Sequence, residues 1–164
     1  MHRRSLPSFF AVLVLGLPSG ALAATFTVDK TGAGDYTAIQ AAINAATTGD
    51  TITVNAGTYY ESVDFSGKNL TLMSATGATA TVIESTSSSA AAITFDSSET
   101  ASALVDGFTL TSSSGGRGLY ISGASPTIRN STISDNGTGY TGSGMGAYID
   151  GGNPTFTTVT FSGN

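Results

Sequence analysis

The 164-residue chain carries six Lys and Arg against 11 Asp and Glu, a formal charge of −5, with no cysteine and one histidine. An acidic surface repels nucleic acid and anionic membranes, and without cysteine the fold has no disulfides even where export would permit them. The histidine is His2, so a product lacking the first residues has no imidazole for a Ser/His/Asp triad, a histidine metal site or a histidine general base.

The amino terminus reads as an export signal: Arg3 and Arg4, an apolar run over residues 9–17, then Ala21, Leu22 and Ala23 in an AxA pattern. Cleavage is expected after Ala23, giving a signal peptide at 1–23 and one domain at 24–164. The arginine pair leaves twin-arginine export as an alternative route. The apolar run falls short of the roughly 20 residues that span a bilayer, so no membrane insertion is expected. The remaining chain keeps Lys30, Lys68, Arg117 and Arg129 against 11 acids, a formal charge of 4 − 11 = −7.

Short alternating runs follow: TFTV at 25–28, TITV at 51–54, NLTLMS at 69–74 and AITFD at 92–96. Each has the two-residue period of a strand. One stretch has helical period: over residues 36–46, Ile39, Ala42, Ile43 and Ala46 share a face, and Gly49 and Asp50 turn the chain onward.

The carboxyl-terminal half repeats itself. GLYISGASPTIRNSTISDN, beginning at Gly118, aligns without a gap to GAYIDGGNPTFTTVTFSGN, beginning at Gly146, with nine of 19 positions identical and an offset of 146 − 118 = 28. VDGFTLTSS, beginning at Val105, lines up with IRNSTISDN at an offset of 128 − 105 = 23. Variable spacing with a constant strand pattern is the mark of a solenoid, in which insertions enter loops while inward residues keep register. The expected class is all-β, a right-handed parallel β-helix of about four to six coils with a helix over its amino-terminal end. Leu110, Ile133 and Phe161 form one internal row, Val105, Ile128 and Phe156 a second, and Phe95, Ile121 and Ile149 a third. Asn130, Asn136 and Asn164 suit corners or amide ladders, and Gly123 and Gly151 suit positive φ. An antiparallel sandwich or barrel also fits short strands, but does not require equivalent strands every 23 to 28 residues.

The segment from Thr25 to Glu61 resembles the amino-terminal part of pectin methylesterases and other pectin-lyase-like β-helices. In that group a GxGDY turn precedes the capping helix and a GxYxE corner follows a strand. The matching positions are Gly32, Gly34, Asp35 and Tyr36, then Gly57, Tyr59 and Glu61. GAYI at 146–149 and FSGN at 161–164 are similar to the repeats of polymorphic outer-membrane proteins. The resemblance is specific for fold and implies no particular activity. The catalytic segments of the esterases, QAV, QDTL and a DFIFG-like run, do not occur, so no catalytic residue is carried over.

The residues offer a few sites of their own. Asp106, Arg129 and Thr157 fall at equivalent positions, bringing Asp106 and Arg129 within one inter-strand spacing, either as an exposed ion pair or as part of a lyase-like site. Asp96, Ser122 and Asp150 form another row. Its two carboxylates, about 9–10 Å apart, have the wide separation of inverting glycosidases or are two solvated turn residues. Asp35 is expected to bond backbone amides at the helix start, and Glu61 to satisfy a corner. Among Tyr59, Tyr60, Tyr120, Tyr140 and Tyr148, the pair Tyr120 and Tyr148 would make a two-rung aromatic strip able to meet sugar rings. No metal or cofactor is indicated, calcium being the one ion this scaffold would suggest.

The last 60 residues hold only Asp106, Arg117, Arg129, Asp135 and Asp150 as charged groups, sparse for an active site. The expectation is therefore a secreted or cell-surface, non-catalytic module presenting a face to polysaccharide or protein. The alternative is a polysaccharide lyase or glycoside hydrolase whose catalytic coils are absent or unrecognised. The apolar last coil is expected to self-associate or to continue into further coils.

Overall fold

A computed structural model describes residues 22–137, 139 and 144–164; Tyr140 and residues 1–21, which hold most of the expected export signal, lie outside these. Strand β1 (Thr25–Val28) leads to helix α1 (Ile39–Ala45) and then to β2 (Thr51–Val54), β3 (Gly57–Tyr59) and β4 (Val63–Asp64). The next coil holds β5 (Thr71–Ser74), β6 (Thr81–Ser85) and β7 (Ala91–Phe95), and the following one β8 (Leu104–Asp106), β9 (Thr109–Ser112) and β10 (Arg117–Ser122). The next coil holds β11 (Thr127–Arg129), β12 (Thr132–Ser134) and β13 (Ala147–Asp150), and β14 (Thr155–Thr157) and β15 (Thr160–Ser162) close the series.

Strand β2 stacks on β1, and from β5 onward each strand stacks on the one three places before it, always in parallel. The three sheets run β1-β2-β5-β8-β11-β14, β3-β6-β9-β12-β15 and β4-β7-β10-β13, the faces of a right-handed β-solenoid of about five turns. No antiparallel pairing occurs among the described strands.

Alternation in each strand sends one side chain in two to the axis, and the coil spacing stacks like on like. Phe26, Ile52, Leu72, Val105, Ile128 and Phe156 form one ladder. Tyr59, Ile83, Leu110, Ile133 and Phe161 form the second, and Phe95, Ile121 and Ile149 belong to the third face. All three rows expected from the repeat are present. Phe161 holds its place opposite Ile133 yet is 49% exposed. The register has not slipped: β15 is the outermost strand of its sheet, so Phe161 is packed from one side alone.

The corners also follow the sequence. Asn130 has φ 50°, and Gly123 and Gly151 have φ 66° and 76°. Asn136 and Asn164 make an amide ladder, the Asn136 Nδ2 donating to Asn164 Oδ1 at 2.9 Å.

Helix α1 is shorter than its periodicity suggested. Tyr36 does not join it because its backbone is engaged with β1: Tyr36 N donates to Thr27 O and Asp29 N donates to Tyr36 O, a bridge that holds the chain extended. From Ile39 the helix turns Ile39, Ala42 and Ile43 onto the core. The two acids beside it exchange their expected roles. Glu61 accepts from the Ile39 and Gln40 amides at 2.8 and 2.9 Å and so caps α1. Asp35 instead accepts from the Thr27 amide and hydroxyl at 2.8 and 2.6 Å. The helix begins beyond Asp35's reach because Tyr36 is bridged to β1.

Three aspartates of the first turns sit in comparable nests. The Thr27 hydroxyl, then its amide, holds Asp35 below the ordinary 3.8. The Thr31 hydroxyl and the Asn55 side chain do so for Asp29, and the Thr47 and Ala24 amides for Asp50. A carboxylate with a depressed folded pKa contributes stability that is complete above its unfolded value and is lost as pH falls through the folded one. The thermal midpoint should therefore hold level as pH falls to about 4 and drop below that. A midpoint that rises between pH 4 and 2 in circular dichroism would contradict this account.

Candidate functional site

Outward positions of β7, β10 and β13 run as a row, with Thr94, Tyr120 and Tyr148 in register. The rings of Tyr120 and Tyr148 are parallel, with centroids 5.5 Å apart and planes inclined by 3°. Parallel strands about 4.8 Å apart set that separation, so two aromatic residues at equivalent repeat positions must stack. The strip is partly open to solvent, Tyr148 being 38% exposed.

Beside Tyr120 lies a cleft of about 390 Å³ lined by Ser89, Ala90, Ala91, Thr94, Arg117 and Tyr120. The corner at residues 87–90 forms one wall and the start of β10 the other. Gly116 makes the approach possible: a Cβ there would meet the Ala90 and Ser87 carbonyl oxygens at 2.4 Å. This close passage delivers Arg117 to the cleft. Its guanidinium carbon stands 5.1 Å from the Tyr148 ring centroid, a cation–π distance. Among the described residues Arg117 Nε is buried without a hydrogen-bond partner, and no carboxylate pairs with the side chain.

Arg117 was not among the residues singled out from the sequence. The available signal was its rarity, one of four cations after Ala23, and its place three residues before a repeat tyrosine. Its reach to Tyr148 depends on the 87–90 corner, which no local pattern encodes.

The other expected sites are assembled as spaced, but on different terms. Asp106 and Arg129 are in register on β8 and β11. Arg129 Nε donates to Asp106 Oδ2 at 2.9 Å, its Nη2 lies 2.8 Å from the same oxygen, and Asn130 Nδ2 donates to Oδ1 at 2.8 Å. Arg129 is 47% exposed, and a pair so open to water is worth about 0–1 kcal/mol. It occupies a different face from the tyrosine strip. Ser122 and Asp150 are paired in register, and continuing the β7–β10 register by one residue sets Asp96 opposite Ser122. Both aspartates are exposed, and Asp96 accepts from its neighbour Ser97. Tyr59 is a core residue whose hydroxyl donates to Asn55 O at 3.0 Å, and Tyr60 is 66% exposed and does not line the Arg117 cleft. Among the described residues no three His, Cys, Asp or Glu side chains gather as a metal cluster.

No family model matches the chain, and no curated protein matches it by sequence. A solved structure, pectin methylesterase from carrot, matches over 90% of this chain and 48% of its own, with a TM-score of 0.61 and 18% identity. At that identity the likeness is one of fold. The chain spans about half the length of that protein.

Proposed function

We propose that the chain is an exported, non-catalytic β-helix module that contacts polysaccharide through the face built from β7, β10 and β13. The observation that carries this reading is the Tyr120 and Tyr148 strip beside the Arg117 cleft. The two rings lie parallel, one stacked on the other, so the strip offers a sugar an apolar wall of ring edges, and Arg117 with the Ser89 and Thr94 hydroxyls offers donors for sugar oxygens beside it. The acidic balance of the chain favours neutral or sparsely charged polymers over polyanions.

Affinity electrophoresis of the secreted protein in gels carrying xyloglucan, glucomannan or de-esterified pectin tests the reading. At least one neutral polymer should retard the protein, and Tyr148→Ala should weaken that retardation about three- to tenfold, the worth of one aromatic contact. Arg129→Ala, on another face, should migrate as the parent does. Equal retardation of Tyr148→Ala and the parent, or none in any gel, would remove the strip from consideration. Release of reducing or unsaturated ends from these polymers, lost in Asp106→Ala, would move the assignment to a polysaccharide-active enzyme.

A further inference from the structure

The bond between Ala23 and Ala24 joins an AxA sequence to the first residue anchored in the fold. Upstream, Leu22 is 94% exposed and Ala23 is open to solvent. Downstream, Ala24 is held at both ends of its peptide unit: its carbonyl accepts from Thr51 N at 2.9 Å, and its nitrogen donates to Asp50 Oδ1 at 2.7 Å. Asp50 is only 5% exposed. Its second oxygen accepts from the Thr47 amide at 2.7 Å and hydroxyl at 3.0 Å, which fixes the carboxylate toward Ala24. Among the described residues no basic side chain pairs with Asp50. A nearly buried carboxylate thus points at the one backbone nitrogen that an export peptidase would turn into a cation.

We propose that Ala23–Ala24 is the processing site and that the ammonium group created on Ala24 forms a salt bridge with Asp50, so that removal of the leader tightens the first coil. In the hydrolysis, the oxygen of water joins the Ala23 carbonyl carbon as the C–N bond breaks. Ala23 leaves as a carboxylate, and Ala24 nitrogen ends with three hydrogens and a positive charge. Before cleavage Asp50 receives one neutral amide hydrogen bond from Ala24. Afterwards it receives a charge-assisted one, about twice as strong. No other titratable side chain competes for the new cation from the surrounding elements: β1, β2, β5 and α1 carry none. Lys68, the nearest cation in sequence, donates to Ile43 O and Asn44 O at the end of α1. This inference rests on the export signal and stands apart from the polysaccharide reading.

The full 164-residue chain is secreted from a bacterial host, and the product is read by mass spectrometry. Ala24 should be its first residue, and a start elsewhere overturns the proposal. The α-amine of that product is then titrated by the pH dependence of its acylation. Its pKa should lie at least about one unit above the ordinary range of about 7.7–8.0, because the Asp50 carboxylate favours the charged form. A raised folded pKa means that the added stability is complete below the unfolded value and fades as pH rises through the folded one. An α-amine that titrates in the ordinary range overturns the salt bridge, and this readout needs no variant. In Asp50→Asn, where that chain folds, the pKa should return to the ordinary range, and a persisting elevation would likewise overturn the pairing.

Discussion

Phe95→Ala lowers the stability of the chain by about 3–5 kcal/mol, the usual loss for truncating a buried phenylalanine. Phe95 is fully buried, opposite Ile121 on the next coil, and its ring lies against Phe65 with centroids 4.4 Å apart and planes at 43°. Its removal leaves a cavity that strands on both sides are too constrained to fill, because their backbones are locked in parallel ladders. Phe161→Ala serves as the comparison. That residue belongs to a ladder too, but at 49% exposure it loses little burial, and the substitution should cost about 1 kcal/mol. Urea unfolding of the two variants measures the difference. Equal losses would mean that the ladders contribute independently of burial, contrary to the packing described.

Glu61→Ala has the second largest expected effect, about 2–3 kcal/mol, because one carboxylate satisfies two amides. A helix leaves its first N–H groups without internal partners, and Ala38, at the cap position, has no side chain that could serve them. Glu61 reaches them from the third strand's exit, with one oxygen on Ile39 and the other on Gln40. Loss of the carboxylate should speed hydrogen exchange at those two amides well before it affects the strands at the other end. Glu61→Gln, which keeps one acceptor oxygen, should lose about half as much. Unchanged exchange at Ile39 and Gln40 in Glu61→Ala would show that α1 is held by its packing alone.

The architecture was legible because a solenoid writes its long-range contacts as local repetition. Leu110, Ile133 and Phe161 touch in space for the same reason that they align in sequence. The stacking of Tyr120 on Tyr148 follows from that register without further information. What escaped was whatever depends on the path between strands. Asp35 and Glu61 both lie near α1, and their roles were exchanged because the Tyr36 bridge to β1 moves the helix start forward. Arg117 escaped for a related reason: a corner, not a strand, sets where its side chain goes. The residues proposed from the Asp106 and Asp96 rows were placed correctly in register. Their surroundings, a solvated ion pair and two exposed turn acids, came from tertiary neighbours that spacing alone does not specify.

The turns of this solenoid differ in length while their strands stay aligned. From Thr51 to its partner Thr71 is 71 − 51 = 20 residues, and from Thr71 to Leu104 is 104 − 71 = 33. Lengthening a surface connection adds little to the entropy of closing it, so selection can let the corners grow or shrink provided that the inward residues stay apolar. Divergence then accumulates as gaps in every turn and as free exchange among Val, Ile, Leu and Phe within the rungs. Kinship in such a lineage fades from aligned sequence long before it fades from shape, and ancestry is better sought in the order of the rungs than in the identity of the residues.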